Sequence, residues 1–369
     1  MAKLPALAPG VLLSGPDTAI AQDLVAETLH RLNASALALL DACDGDTEVD
    51  ELAAEWSDLT GADPAEVRRD ILKAVESFSG LGLVGRTDPA PTPRRLGQAS
   101  DTESFPVEGA IHPVVGHAIQ FVGSDPDLVR FVDDYLGPGT VKGEPTRRFT
   151  IEERADGSVR LVADSEWVFP DRSSLLDQVT TVVNEYGHEN GTFVTLHSAG
   201  LVRPDGSVVI LPAVSGAGKS TLAGLLVAAG WGYLGDESIG IRGTDLAAVP
   251  YPKPLALDAS SRSALGLDPS DRWNTTPREL NANAVVHVTA PGPVDIVVLP
   301  TYEPGATWSL ERLSPTDALE SLITNTLNLS ATGQAGMDTL DDVATTVPTF
   351  RLVHGGGPDI VARLSEITP

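Results

Sequence analysis

Apolar residues recur at helical spacing three times between Leu32 and Phe78, and each run is bounded by residues that start or stop helices. Asn33 is placed to cap a helix carrying Ala36, Leu37, Leu39 and Leu40, with Asp44-Gly45 as its stop. Thr47, with Asp50 three residues on, predicts a capping box for a second helix whose Val49, Leu52, Ala53 and Trp56 share one face. Asp63-Pro64 opens a third, with Val67, Ile71, Val75 and Phe78 on one stripe. After Gly80, Leu81 to Val84 reads as a short strand, to be joined by strands from GVLLSG (Gly10–Gly15) and LVAETLHRL (Leu24–Leu32). The expected product is a small winged-helix-like unit over residues 1–86.

The stretch TDPAPTPRRLGQASDTE (Thr87–Glu103) has Pro, Ser, Thr and charge but no hydrophobic period, so residues 87–104 read as a linker. From there to the C-terminus the period changes repeatedly. Strand-like runs occur in HAIQFVG (His117–Gly123), VRLVA (Val159–Ala163), TFVTLHSAGLV (Thr192–Val202), SVVILPAV (Ser207–Val214) and VDIVVLP (Val294–Pro300). They alternate with helical patterns, clearest at Thr221–Ala229 and Pro315–Leu327. Residues 105–369 are therefore expected to form one α/β domain, making the chain α/β (α+β overall). Asp205-Gly206 between two apolar runs predicts a tight hairpin.

Composition narrows the partners. With 51 acidic against 25 basic residues, the formal charge of -26 repels nucleic acid and anionic membrane surfaces. Cys43 is the single cysteine, which rules out an internal disulfide and a cysteine-based zinc site. No apolar run approaches the ~18 residues of a membrane span, and MAKLPALAPG lacks the apolar core of a signal segment. The expectation is a soluble cytoplasmic protein without nucleic-acid or membrane partners, with assembly into a homo-oligomer left open.

The chemistry-bearing stretch is PAVSGAGKSTLAGLL (Pro212–Leu226). An apolar strand, a glycine loop and a helix N-terminus form an anion site, because backbone N–H groups converge and the helix dipole adds positive potential. Ser215, Gly216, Ala217 and Gly218 supply the loop, Lys219 can reach β- and γ-phosphates, Ser220 can ligate Mg²⁺, and Thr221 can contact the α-phosphate. Ala213 stands where GxxxxGK[ST] has its first glycine, a position that touches phosphate less than Ser215–Ser220 do. Downstream, WGYLGDES (Trp231–Ser238) offers a strand that delivers Asp236 and Glu237 to the same end of a sheet, where a carboxylate can serve Mg²⁺ or accept a proton. His197 in TLHSAG lies on the strand expected beside the loop's own, although a lone histidine on an apolar strand more often serves as a core residue.

The stretch LHSAGLVRPDGSVVILPAVSGAGKSTLAGLLVAAGWGYLGDESIGI (Leu196–Ile241) resembles the nucleotide-binding core of HPr serine kinase/phosphorylases and their HprK-related relatives, in which a histidine, an SGxGKS loop and an acidic pair follow in that order. YPKPLALD (Tyr251–Asp258) and VVLPTYEPGATWSLERLSPTDALESLI (Val297–Ile323) resemble later blocks of those kinases, whereas Phe105–Gly191 matches only faintly. The resemblance implies ATP or another nucleoside triphosphate with Mg²⁺, Asp236 as general base, His197 near the transferred phosphate, and Glu237 serving the metal. It does not carry over HPr as substrate.

The N-terminal unit, through LNASALALLDACDGDTEVDELA and VRRDILKAVESFSGLGLV, resembles the PqqD family of recognition elements for ribosomally made, post-translationally modified peptides (RiPPs). That resemblance implies capture of a precursor's leader peptide by strand addition, beside a groove for which Val67, Ile71, Leu72 and Val75 are candidates, with burial in the core an equal reading for each. Two functions compete. One is a kinase that holds the leader and phosphorylates a Ser or Thr of the peptide; tethering would raise the local substrate concentration. The other is a recognition scaffold, similar to recognition proteins of daptide-type clusters, whose kinase-like part is non-catalytic and which presents the precursor to separate modifying enzymes.

Overall fold

The computed structural model describes residues 2–89, 106–137, 139–163, 165–189, 192–269, 274–357 and 359–368. The expected linker lies almost wholly outside these described residues.

Three short strands, β1 (Val11–Leu13), β2 (Ile20–Asp23) and β3 (Thr28–Arg31), form an antiparallel sheet in that order, followed by α1 (Ala34–Asp41), α2 (Val49–Thr60) and α3 (Pro64–Gly80). Asn33 accepts the Ala36 N–H at 2.8 Å, and Asp63 accepts the Ala65 N–H at 2.8 Å, so both caps form as their residues predict. Helix α2 starts differently. Its N-cap is Glu48 with no side-chain bond, because the Thr47 hydroxyl donates to Asp44 at 3.0 Å within a turn that Asp44 closes. Leu81–Val84 is not a sheet strand either; Val84 makes an isolated bridge with Leu7, and Ile20–Asp23 takes the central place. Leu39, Leu40, Ile71, Phe78 and Leu83 close the core. Cys43 is buried in it and unpaired, its thiol pushed up to about 11 first by burial and then by Asp44.

Among the described residues, the stretch expected as one unit holds a five-stranded sheet, an eight-stranded sheet and a two-stranded ribbon, and the two larger sheets close separate cores. In the first, β4 (Val107–Val114), β5 (His117–Gly123), β6 (Arg147–Glu153), β7 (Val159–Val162) and β8 (Glu166–Phe169) lie in sequential order. Helices α4 (Pro126–Leu136) and α5 (Arg172–Glu189) close a core around Phe121, Val132, Phe149 and Val179.

The second begins with β9 (Val194–Val202), β10 (Val208–Pro212), α6 (Lys219–Ala228), β11 (Gly232–Gly235), β12 (Ser238–Ile241) and β13 (Ala248–Val249). A ribbon of β14 (Leu255–Ala256) and β15 (Asn274–Thr275) with helices α7 (Ala259–Ala264) and α8 (Pro277–Leu280) intervenes. The chain then adds β16 (Ile296–Tyr302), β17 (Ser309–Arg312), α9 (Pro315–Thr324), α10 (Leu329–Thr346), β18 (Thr349–His354) and α11 (Ile360–Ser365). The eight-stranded sheet runs β13-β12-β9-β10-β16-β18-β17, with β11 also on β9. Helices α6 and α11 pack on one face, α9 and α10 on the other. The hairpin β9–β10 turns at Asp205-Gly206, where Gly206 takes a φ of 94°.

The N-terminal sheet docks on α9 and α10. Leu12 and Ile20 enter the same core as Met337 and Leu340. Gln334 closes an amide pair on β1, donating to the Leu13 carbonyl at 2.6 Å and accepting its N–H at 3.1 Å, while Asp341 accepts the Gly15 N–H at 3.1 Å. The outer edge of β1 is thus engaged, and β3 forms the other edge of the sheet. Among the described residues, no helix is long and apolar enough to cross a membrane.

Candidate phosphate site

Strand β10 ends at Pro212 and α6 begins at Lys219, leaving Ala213–Gly218 as the loop. Gly216 and Gly218 sit at φ of 85° and 84°, the left-handed region that side chains resist. At Gly218 space is short as well, since a Cβ would lie 2.7 Å from Tyr302 Cβ. Gly218 is the N-cap of α6 and supplies no side-chain bond, so the first N–H groups of the helix stay open to an anion. Ala213 is buried, outside the left-handed region, and donates its N–H to the His197 carbonyl at 3.2 Å. It prolongs the β9–β10 ladder, which explains why no glycine is required there.

Lys219 folds back into the site. Its ammonium, only 6% exposed with the residue, donates to the Asp236 carbonyl at 3.0 Å and lies 3.8 Å from Asp236 Oδ1. Asp236 is 2% exposed, and neither carboxylate oxygen has a hydrogen-bond partner. Such a group is costly to bury unless a ligand completes it. Strands β10 and β11 both pair antiparallel with β9, so they point the same way and bring the loop and Asp236 to one end of the sheet. His197 lies between them on β9, in register with Ser238.

A cavity of about 450 Å³ joins His197, Ser215, Lys219, Ser220, Asp236 and Glu237. Burial, and then the Lys219 charge, hold His197 below the ordinary histidine range, so it is neutral at neutral pH. His188, which donates or accepts at Ser238 Oγ at 2.9 Å, is pushed down to about 4, again chiefly by burial.

Two of the expected ligands already have partners within the protein. Glu237, expected to serve a metal, is held by Lys253 at 3.0 Å. Burial presses the Glu237 carboxyl upward, but Lys253, with Lys219 and His197, outweighs it and leaves the group below its usual range. Thr221, expected on an α-phosphate, has its hydroxyl on Ser261 Oγ at 2.7 Å, within reach of the same cavity. The sequence pattern gives Lys253 no role; YPKPLALD marks its neighbourhood, yet only the pairing of Tyr251 against Gly235 and the ion pair itself show that it reaches Glu237.

Mg²⁺ fits this donor set in part. Asp236 offers two unpartnered oxygens and Ser220 a hydroxyl in the same cavity. Among the described residues no three His, Cys, Asp or Glu side chains gather as a metal site, so remaining ligands would have to come from a nucleotide and water, as Mg²⁺ commonly takes them.

The four candidate peptide-binding residues do not share one environment. Ile71 is buried in the core, which removes it from any surface groove; Val67 and Val75 pack partly against that core, and Leu72 is exposed on α3.

Residues 13–84 match the protein family described as coenzyme PQQ synthesis protein D (PqqD). The N-terminal unit is PqqD-like. No curated protein matches the chain. Among solved structures, the Hpr(Ser) kinase/phosphatase from Coxiella burnetii aligns over 46% of this chain and 91% of its own, at 10% identity and a TM-score of 0.27. This is a weak match to an HprK-like fold.

Proposed function

We propose that this is a recognition protein of RiPP biosynthesis, which binds a precursor's leader peptide through its PqqD-like unit and presents the peptide to modifying enzymes beside a nucleotide-binding domain. The observation that carries this reading is the PqqD match over residues 13–84, on a sheet whose β1 edge is engaged by Gln334 and whose β3 forms the other edge. PqqD domains generally bind leader peptides. An extended peptide added to β3 would gain ladder hydrogen bonds, and side-chain contacts beside α3, where Leu72 is exposed, would select it. The test is calorimetric titration with a panel of synthetic RiPP leader peptides, including that of any short peptide gene found beside this one: micromolar binding that survives Lys219→Ala supports the reading, and absence of binding to the full-length protein ends it.

A second reading, ATP-dependent phosphorylation of a peptide Ser or Thr, is favoured by the Asp236 carboxylate. In it the open N-terminus of α6 and Lys219 hold the triphosphate, and Asp236 takes the proton of the acceptor hydroxyl as its oxygen bonds to the γ-phosphorus and ADP leaves. Ser220 and Asp236 would hold Mg²⁺, which when bound neutralises phosphate charge. Two unpartnered oxygens on Asp236 leave one for each role. A gain of one phosphoryl mass on the precursor, lost in Asp236→Asn, is the expected result; no gain with wild-type protein and Mg-ATP leaves the recognition reading alone.

A further inference from the structure

A second cavity, of about 670 Å³, shares Val214, Ser215, Gly216 and Tyr302 with the first and reaches the N-terminal unit at Arg31. Arg31, the last residue of β3, stands at one end and Ser215–Ala217 of the loop at the other. One face of α9 forms the wall between them: Asp317, Glu320, Ser321 and Thr324 follow at helical spacing and all line the cavity. Arg31 is fixed at its end by ion pairs with Asp317, at 2.8 Å, and with Glu320.

Asn325 closes the loop end. It is 9% exposed, its Nδ2 donates to the Ser321 carbonyl at 2.8 Å, and its Oδ1 is buried with no partner. A buried acceptor of this kind asks for a donor, and a turn of the Asn325 amide toward the cavity it lines would let a peptide N–H or a hydroxyl supply one. Its backbone carbonyl accepts the His197 N–H at 2.8 Å, which ties this end of the groove to the phosphate site.

We propose that the α9 groove receives an extended segment of the same peptide that pairs with β3, and delivers it to the phosphate loop at Asn325. The inference rests on the peptide-binding reading above and goes beyond it by giving the bound peptide a path and a ruler. The wall from Asp317 to Asn325 rises over about eight residues and so spans about 12 Å. An extended chain covers that in about four residues. The residue presented at the loop therefore lies about four positions from the segment paired with β3.

The probe is a peptide selected on the full-length chain from a displayed library of random sequences. Photo-crosslinking identifies its β3-bound segment, and the peptide is then made in two further forms, one N-methylated at alternate amides of that segment and one truncated to it. N-methylation should abolish binding, because strand pairing needs those N–H groups. Thr324→Trp, which fills the groove from an exposed position, should weaken the full peptide about tenfold or more and leave the truncated one unchanged; Thr324→Ser should behave as wild type. Equal binding of the full peptide to wild type and Thr324→Trp overturns the groove and leaves β3 pairing standing. Indifference to N-methylation overturns the peptide-binding mode itself. Binding of the truncated peptide doubles as the check that Thr324→Trp is folded.

Discussion

Asp23 in the N-terminal unit and Asp236 beside the phosphate loop are both buried, and the fold treats them in opposite ways. Asp23 receives Arg86 twice, at 2.7 and 2.9 Å, and the N–H groups of Val25 and Ala26 at 2.8 and 3.1 Å. Asp236 receives no hydrogen bond at all on its carboxylate, with Lys219 alone at 3.8 Å. A fully satisfied buried carboxylate specifies structure, whereas an unsatisfied one marks a place where something else is meant to bind. The clasp also joins β2 to Arg86 at the far end of the PqqD-like unit, so it fixes the sheet that presents β3.

The largest effect should come from breaking the clasp. Asp23→Ala removes one partner of a buried pair and should destabilise the N-terminal unit by about 3 kcal/mol, toward the low end for such pairs because Arg86 can turn to water. Urea unfolding followed at Trp56 checks it. The same pair sets an acid limit. Arg86, acting against burial and aided by the backbone N–H groups of Ala26 and Val25, holds the Asp23 carboxyl below its ordinary value. Its folded pKa is thus lower than its unfolded one, so its stabilisation is present above about pH 4 and lost as pH falls through the folded value. The variant should lose that part of the wild-type acid dependence.

At the phosphate site Lys219→Ala should reduce nucleotide affinity about a hundredfold, the size of a lost charge-assisted contact, and equilibrium titration with a fluorescent ATP analogue measures it. Asp236→Asn should act more narrowly. The loop, Lys219 and the α6 N-terminus remain, so nucleotide binding should change by about threefold or less, while the extra thermal stabilisation produced by adding Mg²⁺ to ATP should disappear. If Mg²⁺ still adds its increment in Asp236→Asn, the unpartnered carboxylate is not its ligand, and the contrast with Asp23 loses its functional meaning.

The features legible in the sequence are those that local chemistry decides. Asn33 and Asp63 cap their helices, Asp205-Gly206 turns its hairpin, and the glycines of SGAGKST adopt the left-handed geometry the loop requires. Where two local solutions compete, the sequence does not decide between them: Thr47 can bond forward into α2 or backward to Asp44, and it bonds backward. Strand β2 carries no clear pattern because IAQD is short and half polar; Asp23 ends it buried only because Arg86, distant in sequence, neutralises it. The division of residues 105–369 among separate cores, the Lys253–Glu237 pair and the Gln334–Leu13 amide pair are all products of long-range packing, which periodicity does not encode. Asn325 gave no signal, since its significance lies in an oxygen that the fold leaves alone.

Gln334→Ala gives the smallest effect and the finest test of the comparison. Gln334 is exposed, and its two hydrogen bonds to Leu13 can be replaced by water, so the stability lost should be about 1 kcal/mol. The consequence for recognition should be larger than that figure suggests. Without the amide pair, β1 presents an unpaired N–H and C=O to solvent, and the three-stranded sheet then has two edges to which an extended peptide can add. Crosslinking of a bound peptide should shift from β3 alone to a mixture of β3 and β1, with little change in total affinity. Crosslinks that stay on β3 would mean that the side-chain contacts beside α3, rather than the sealing of β1 by α10, determine which edge the peptide chooses.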